Sequence, residues 1–117
     1  MEYQNLISDI IMETAADYLE IDAILASRPL VLLYCSQPSC NVCKSLLPKV
    51  NVLLKKFPKV SSLYVDINEI QDFAGQHTVF SIPSVLFFAD GKEQFRLVRA
   101  FGIKELEEKI TKVYKHF

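Results

Sequence analysis

Cys40 and Cys43 are separated by two residues in Ser39-Cys40-Asn41-Val42-Cys43-Lys44, which follows the apolar run Leu30-Val31-Leu32-Leu33-Tyr34-Cys35 and the turn-forming Ser36-Gln37-Pro38-Ser39. On the first turn of a helix, this spacing sets both sulfurs on one side, near enough to bond. A helix start also offers unpaired backbone N–H groups and the positive end of the dipole, and both favour a thiolate. Thiols so placed in Cys-x-x-Cys motifs titrate toward about 7 or lower, against about 8.5 for a free cysteine. Cys40, at the exposed end, is predicted to attack a disulfide and form a mixed disulfide. Cys43, one turn deeper, is predicted to attack that bond and release the reduced product. Ser39 is placed to cap the helix. Lys44 either adds positive potential or is a solvated surface residue.

Two other readings of the pair stand beside this one: half of a zinc site, or two neighbouring cysteines without a role. Zinc usually takes four ligands. The chain offers three cysteines and two histidines, with Cys35 in a predicted strand and His77 and His116 at no ligand-like spacing to the pair. No metal is therefore expected. Cys35 reads as a buried hydrophobe, a common role for free cysteine; a regulatory thiol is the alternative. Three cysteines are too few for a disulfide-stapled secreted scaffold. The start, Met1 to Leu6, lacks a basic region followed by an apolar core, so a complete chain would stay in the cytoplasm, although a mature domain trimmed of an export signal would read the same.

The formal net charge is -1 and the lysines are dispersed, Lys55, Lys56 and Lys59 among them, which argues against a nucleic-acid partner. No apolar run reaches the roughly 18 residues of a membrane span. With 117 residues, 50% of them hydrophobic, the chain suits a single domain over 1–117, formed of a helical N-terminal segment over 1–28 and a core over 30–117.

The elements that must position the cysteines follow from periodicity. Leu6, Ile7, Ile10 and Ile11, then Leu19, Ile21, Ile24 and Leu25, predict one or two amphipathic helices ending at Arg28-Pro29. Leu30 to Cys35 predicts a strand buried on both faces. The helix from Cys40 turns Leu46, Leu47, Val50, Leu53, Leu54 and Phe57 inward and carries a kinking Pro48. Alternation predicts a strand over Ser62–Asn68, and a short helix follows over Glu69–Gln76. Ser84 to Ala89 predicts another buried strand, and Asp90-Gly91 a hairpin into a return strand over Glu93–Ala100. Beyond Gly102, a last helix turns Ile103, Leu106, Ile110 and Val113 inward and pairs Glu105 with Lys109 and Glu108 with Lys112 outward. This order predicts an α/β domain, a mixed central sheet with helices on both faces. Pro83, in Ser81-Ile82-Pro83-Ser84, cannot donate to a ladder and should stand at a strand's entry.

The run Leu30 to Cys43, Pro48, Ile82-Pro83-Ser84 and the Asp90-Gly91 hairpin together resemble the thioredoxin family over about 30–117. The resemblance implies a thioredoxin-like fold and a cis Pro83 beside the cysteines, where an ordinary trans proline is the alternative. It also implies an Ile82 backbone that pairs with bound substrate, a nucleophilic Cys40 and a buried resolving Cys43. It further implies no metal or organic cofactor, protein disulfides as substrates, and an NADPH-dependent thioredoxin reductase as electron donor. The protein is expected to be a monomer. The chain departs from the family's Trp-Cys-Gly-Pro-Cys and has no tryptophan. Tyr34 takes the place of the family's buried aspartate, Ser62 that of a partnering lysine, and Arg99 falls near a substrate-facing glycine. Deprotonation of Cys43 then falls to water or Tyr34. Arg99 is either a solvent-facing strand end or a selector of acidic substrates. A glutaredoxin-like protein using a low-molecular-weight thiol and a non-catalytic partner-binding module are the other functions compatible with these residues.

Overall fold

The computed structural model describes residues 12–117. The helical expectation for Leu6, Ile7, Ile10 and Ile11 lies outside them. The elements are β1 (Glu13–Thr14), α1 (Tyr18–Ser27), β2 (Leu30–Ser36), α2 (Asn41–Leu54), β3 (Val60–Asp66), α3 (Gln71–Gln76), β4 (Ser84–Ala89), β5 (Lys92–Val98) and α4 (Ile103–Tyr114). The five strands form one sheet in the order β1-β3-β2-β4-β5. β3 runs parallel to β1 and β2, whereas β4 is antiparallel to β2 and β5. The predicted mixed α/β sheet is the one observed.

β2 lies at the centre, and every residue from Leu30 to Ser36 is buried. Because side chains alternate along a strand, Leu30, Leu32 and Tyr34 join one core, with Cys43, Val50, Leu106 and Ile110 from α2 and α4. Val31, Leu33 and Cys35 join the other, with Ile21, Leu25 and Phe73 from α1 and α3. The sheet is thus covered on both faces.

The N-terminal expectation needs correction. Within the 1–28 segment a strand, β1, precedes the helix, and the Ala15 amide extends its pairing to the Tyr64 carbonyl at 2.9 Å. Helix α1 starts only after Asp17, whose side chain accepts from the Glu20 amide at 2.8 Å while Glu20 Oε1 accepts from the Ala16 amide at 2.7 Å. These reciprocal bonds satisfy donors that a helix start leaves unpaired. They also set the phase of α1: Ile21, Ile24 and Leu25 face the core, and Leu19, expected inward, is 80% exposed.

Other boundaries shift for local reasons. α2 ends at Leu54, where amide bonds of Lys55, Lys56 and Phe57 to carbonyls three residues back tighten the last turn. β3 runs over Val60–Asp66, not Ser62–Asn68, because the Asp66 carboxylate takes the Asn68 and Glu69 amides and turns the chain. α3 accordingly begins at Gln71. On α4 the ion pair is Glu107 with Lys56 of α2, at 3.0 Å, rather than the expected pairs along the helix.

The hairpin places Asp90 and Gly91 at φ values of 52° and 80°, the left-handed pair that a tight two-residue turn requires. β5 then stops at Val98 instead of reaching Ala100, because Arg99, whose amide still pairs with the Pro83 carbonyl at 2.8 Å, has φ 64° and leaves the extended conformation. A side chain in this basin costs about 1 kcal/mol or more, which glycine avoids. Arg99→Gly is therefore expected to raise the urea midpoint by an amount equivalent to about 0.5–1 kcal/mol, after the extra freedom of the unfolded glycine is counted. A lowered midpoint would mean that the arginine side chain stabilises more than its backbone conformation costs.

Candidate active site

The site forms where β2 gives way to α2. The Cys40 amide donates to the Gln37 carbonyl at 3.1 Å, closing the turn that contains Pro38. Cys40 has extended backbone angles, φ -87° and ψ 104°, and its Sγ accepts from the Cys43 amide at 3.1 Å. Cys40 is thus itself the cap of α2, and Ser39, expected in that role, is exposed one residue too early for its side chain to reach the third helical amide. A thiol in the capping position accepts an otherwise unpaired N–H, which stabilises it further as a thiolate.

Cys40 and Cys43 are joined as a disulfide, their Cα atoms 5.3 Å apart. The two differ in access: Cys40 is half-buried, whereas Cys43 is only 1% exposed. An attacking partner can reach the first sulfur and not the second.

A second loop lies at the same end of the sheet, where Ser84 at the start of β4 pairs with Cys35 near the end of β2. The Ile82–Pro83 peptide is cis, and Pro83 is buried. Pro83 directly precedes β4, as a residue without an N–H should. Ser84 Oγ donates to the Ser81 carbonyl at 2.6 Å, which fastens the loop across Ile82-Pro83. Ile82 and Cys40 pack against the same core that holds Cys43 and Tyr34. Cys40, Cys43 and Tyr34 are thus in direct contact, through the disulfide and the Tyr34 hydroxyl, while Ile82 borders the same core and Arg99 is tied to Pro83 through the backbone. Lys44 is exposed on the first turn of α2, and only its amide, donating to the Cys40 carbonyl at 3.1 Å, engages the site.

Tyr34 is fully buried on β2, and its hydroxyl donates to the Cys43 carbonyl at 2.6 Å. Burial, and to a lesser degree the nearby Tyr64, push its phenol pKa upward. Cys35 faces the opposite side of the sheet, so it cannot approach the Cys40–Cys43 pair as a third metal ligand. Among the described residues, no group of three or more His, Cys, Asp or Glu is placed to hold a metal ion.

Burial pushes the Cys35 thiol from 9.0 up to about 12. In the unfolded chain the thiol ionises first, so above pH 9.0 the native state binds more protons and stability falls as pH rises. Unfolding free energy measured in urea should hold level through neutral pH and decline between pH 9.0 and about 12, with Tyr34 adding to the decline above its unfolded value of 10.0. The slope near pH 9 should lessen in Cys35→Ala. An unchanged slope there would assign the decline to other groups.

Two exposed apolar side chains escaped the sequence reading: Val42, 64% exposed between the cysteines, and Phe80, 78% exposed three residues before Pro83. Val42 could have been found, since the inward positions of α2 exclude it. Phe80 lies in a loop without periodicity, and nothing in the sequence marks it as exposed.

A mixed sheet carrying a Cys-x-x-Cys pair at a helix start, with a cis-proline loop at the same end, has a thiol–disulfide oxidoreductase architecture. A family model described as Thioredoxin matches residues 10–112. The Thioredoxin-like protein YdfQ of Bacillus subtilis (strain 168) is 30% identical over 97 residues, spanning 83% of this chain and 87% of that protein. Thioredoxin of Chlamydia trachomatis serovar D is 38% identical over 77 residues, 66% of this chain and 72% of that one. Among solved structures, thioredoxin from Trypanosoma brucei brucei superposes with a TM-score of 0.83 at 17% identity, covering 92% of this chain and 94% of that chain. The chain belongs to the thioredoxin family. Its chemistry is thiol–disulfide exchange, carried on a divergent Cys-Asn-Val-Cys site. Among the described residues, no helix is long and apolar enough to cross a membrane.

Proposed function

We propose that this protein reduces disulfides in other proteins, acting as a monomeric dithiol carrier in the cytoplasm with Cys40 as nucleophile and Cys43 as resolving thiol. The observation that carries the reading is the difference in access within one helical turn: Cys40 is half-buried at the cap, and Cys43 is 1% exposed beneath it. The Cys40 thiolate attacks one sulfur of a substrate disulfide, and the other sulfur leaves as a thiolate that takes up a proton. Cys43 then loses its proton and attacks Cys40 Sγ. This forms the Cys40–Cys43 bond and releases the second substrate sulfur, which is protonated in turn. Two electrons and two protons pass to the substrate, and the electrons come from the dithiol itself, so the step needs no metal or organic cofactor.

The substrate chain would lie extended along Ile82-Pro83, pairing with the Ile82 backbone. Val42 and Phe80 offer apolar contact at the same end of the sheet, and Lys44 and Arg99 are exposed cations there. Continued turnover requires a donor that reduces Cys40–Cys43, and an NADPH-dependent flavoprotein reductase of the thioredoxin reductase class suits a protein-sized docking surface. The test is reduction of insulin with dithiothreitol as donor, repeated with NADPH and such a reductase, and then with glutathione or bacillithiol. Turnover with dithiothreitol and the reductase supports the reading. Turnover with the small thiols alone would move the protein to glutaredoxin-like use, and no turnover with any donor would leave a partner-binding module.

A further inference from the structure

We propose that Tyr34 is a positioning residue for the dithiol: its hydroxyl pins the Cys43 carbonyl so that the amide of the same residue stays aimed at Cys40 Sγ. The inference rests on the reading of Cys40 as nucleophile and adds the device that keeps its acceptor geometry.

Two hydrogen bonds meet on one residue. Tyr34 Oη donates to the Cys43 carbonyl at 2.6 Å, and the Cys43 amide donates to Cys40 Sγ at 3.1 Å. Only the φ and ψ rotations of Cys43 lie between the pinned carbonyl and the amide that caps the sulfur. Tyr34 projects from β2, a strand buried along its whole length, so the anchor is held by core packing on both faces of the sheet.

The helix is interrupted one residue beyond this anchor. Pro48 lies inside α2 and has no N–H, so the Lys44 carbonyl, next to that of Cys43, loses its partner four residues on. Tyr34 takes hold of the carbonyl of Cys43, one residue before the carbonyl that Pro48 leaves without its helical donor.

A phenol has one proton to donate. Here it is committed to a backbone carbonyl, and burial keeps it on the oxygen. Tyr34 therefore does not serve Cys43 as a proton relay, and the proton of the resolving thiol leaves to water. Tyr64, its partner across β3, does not duplicate the clamp, because its hydroxyl donates to Ser36 Oγ at 3.1 Å.

The test uses the reduced full chain and follows iodoacetamide alkylation of Cys40 against pH by peptide mass spectrometry. Tyr34→Phe should slow alkylation at neutral pH by about threefold to tenfold, the worth of one neutral hydrogen bond, and move the titration of Cys40 to higher pH. Tyr64→Phe should leave both unchanged. Difluorotyrosine installed at position 34, a stronger donor, should move the titration the other way, which keeps the test decisive if Tyr34→Phe folds poorly. A wild-type titration of Cys40 in Tyr34→Phe and in the fluorinated protein would overturn the inference and leave Tyr34 as a packing residue. If Cys40 of the wild type itself reacts no faster than an ordinary free thiol, it is the nucleophile assignment that fails.

Discussion

Replacing Cys40 by serine is expected to lower kcat/KM for disulfide reduction by at least about a thousandfold while leaving the fold intact, because a hydroxyl supplies no thiolate and cannot form the mixed disulfide. Loss of the nucleophile in a covalent mechanism commonly removes activity down to the uncatalysed background. The substitution is clean for a structural reason. Cys40 caps α2 by accepting the Cys43 amide, and serine is among the preferred residues for that position. Thermal unfolding of reduced Cys40→Ser should therefore match or exceed that of the reduced wild type. Insulin reduction and a melting curve on the same preparation check both halves. Substantial turnover in the folded variant would place the nucleophile elsewhere.

Cys43→Ala is expected to separate the two chemical steps. Cys40 keeps its access and its position at the helix start, so the first attack should proceed within about tenfold of the wild-type rate. The mixed disulfide then has no resolving sulfur and should accumulate, with multiple turnover reduced about as far as in Cys40→Ser. Cys43 sits in the core against Tyr34 and Val50, so removing its sulfur should cost about 1 kcal/mol of stability. The adduct should appear on a non-reducing gel and by intact mass as protein plus substrate, in buffer without added thiol. Rapid turnover in that buffer once NADPH and a thioredoxin-class reductase are supplied as donor would show that Cys43 is not the resolving group. Turnover restored by glutathione alone would mark a monothiol route and favour the glutaredoxin-like reading.

The parts of the fold that could be read from sequence are those in which one local pattern suffices. Leu30 to Cys35 reads as a doubly buried strand because apolar residues occupy both of its faces, and β2 is buried throughout. Asp90-Gly91 reads as a hairpin because both positions must take positive φ, and both do. What was not legible depends on geometry between elements. β1 spans only Glu13–Thr14, too short for a period of two to show, and exists because the edge of β3 accepts it. Leu19 looked inward because hydrophobic spacing alone does not fix the phase of a helix; the Asp17 cap does. Glu107 finds Lys56 on α2 rather than a partner on its own helix, a choice set by how α2 and α4 pack.

The site divides in the same way. The cysteine spacing, and the junction of strand and helix that it occupies, could be read directly. The capping role passed from Ser39 to Cys40 because the backbone of Cys40, and not that of Ser39, is extended at the helix entrance. Tyr34 was legible as the occupant of the position beneath the resolving cysteine. The direction of its hydrogen bond was not, because a phenol on β2 reaches either the sulfur or the backbone depending on the height of α2 above the sheet.

The most direct test of the account is to mix fully reduced protein with a disulfide-containing protein substrate, quench with acid, and map the pairing of all three cysteines by peptide mass spectrometry. The account predicts that Cys40–Cys43 forms in step with two new substrate thiols per bond, while Cys35 stays reduced. Substrate thiols appearing with Cys40 and Cys43 still unpaired, or paired with Cys35, would contradict it.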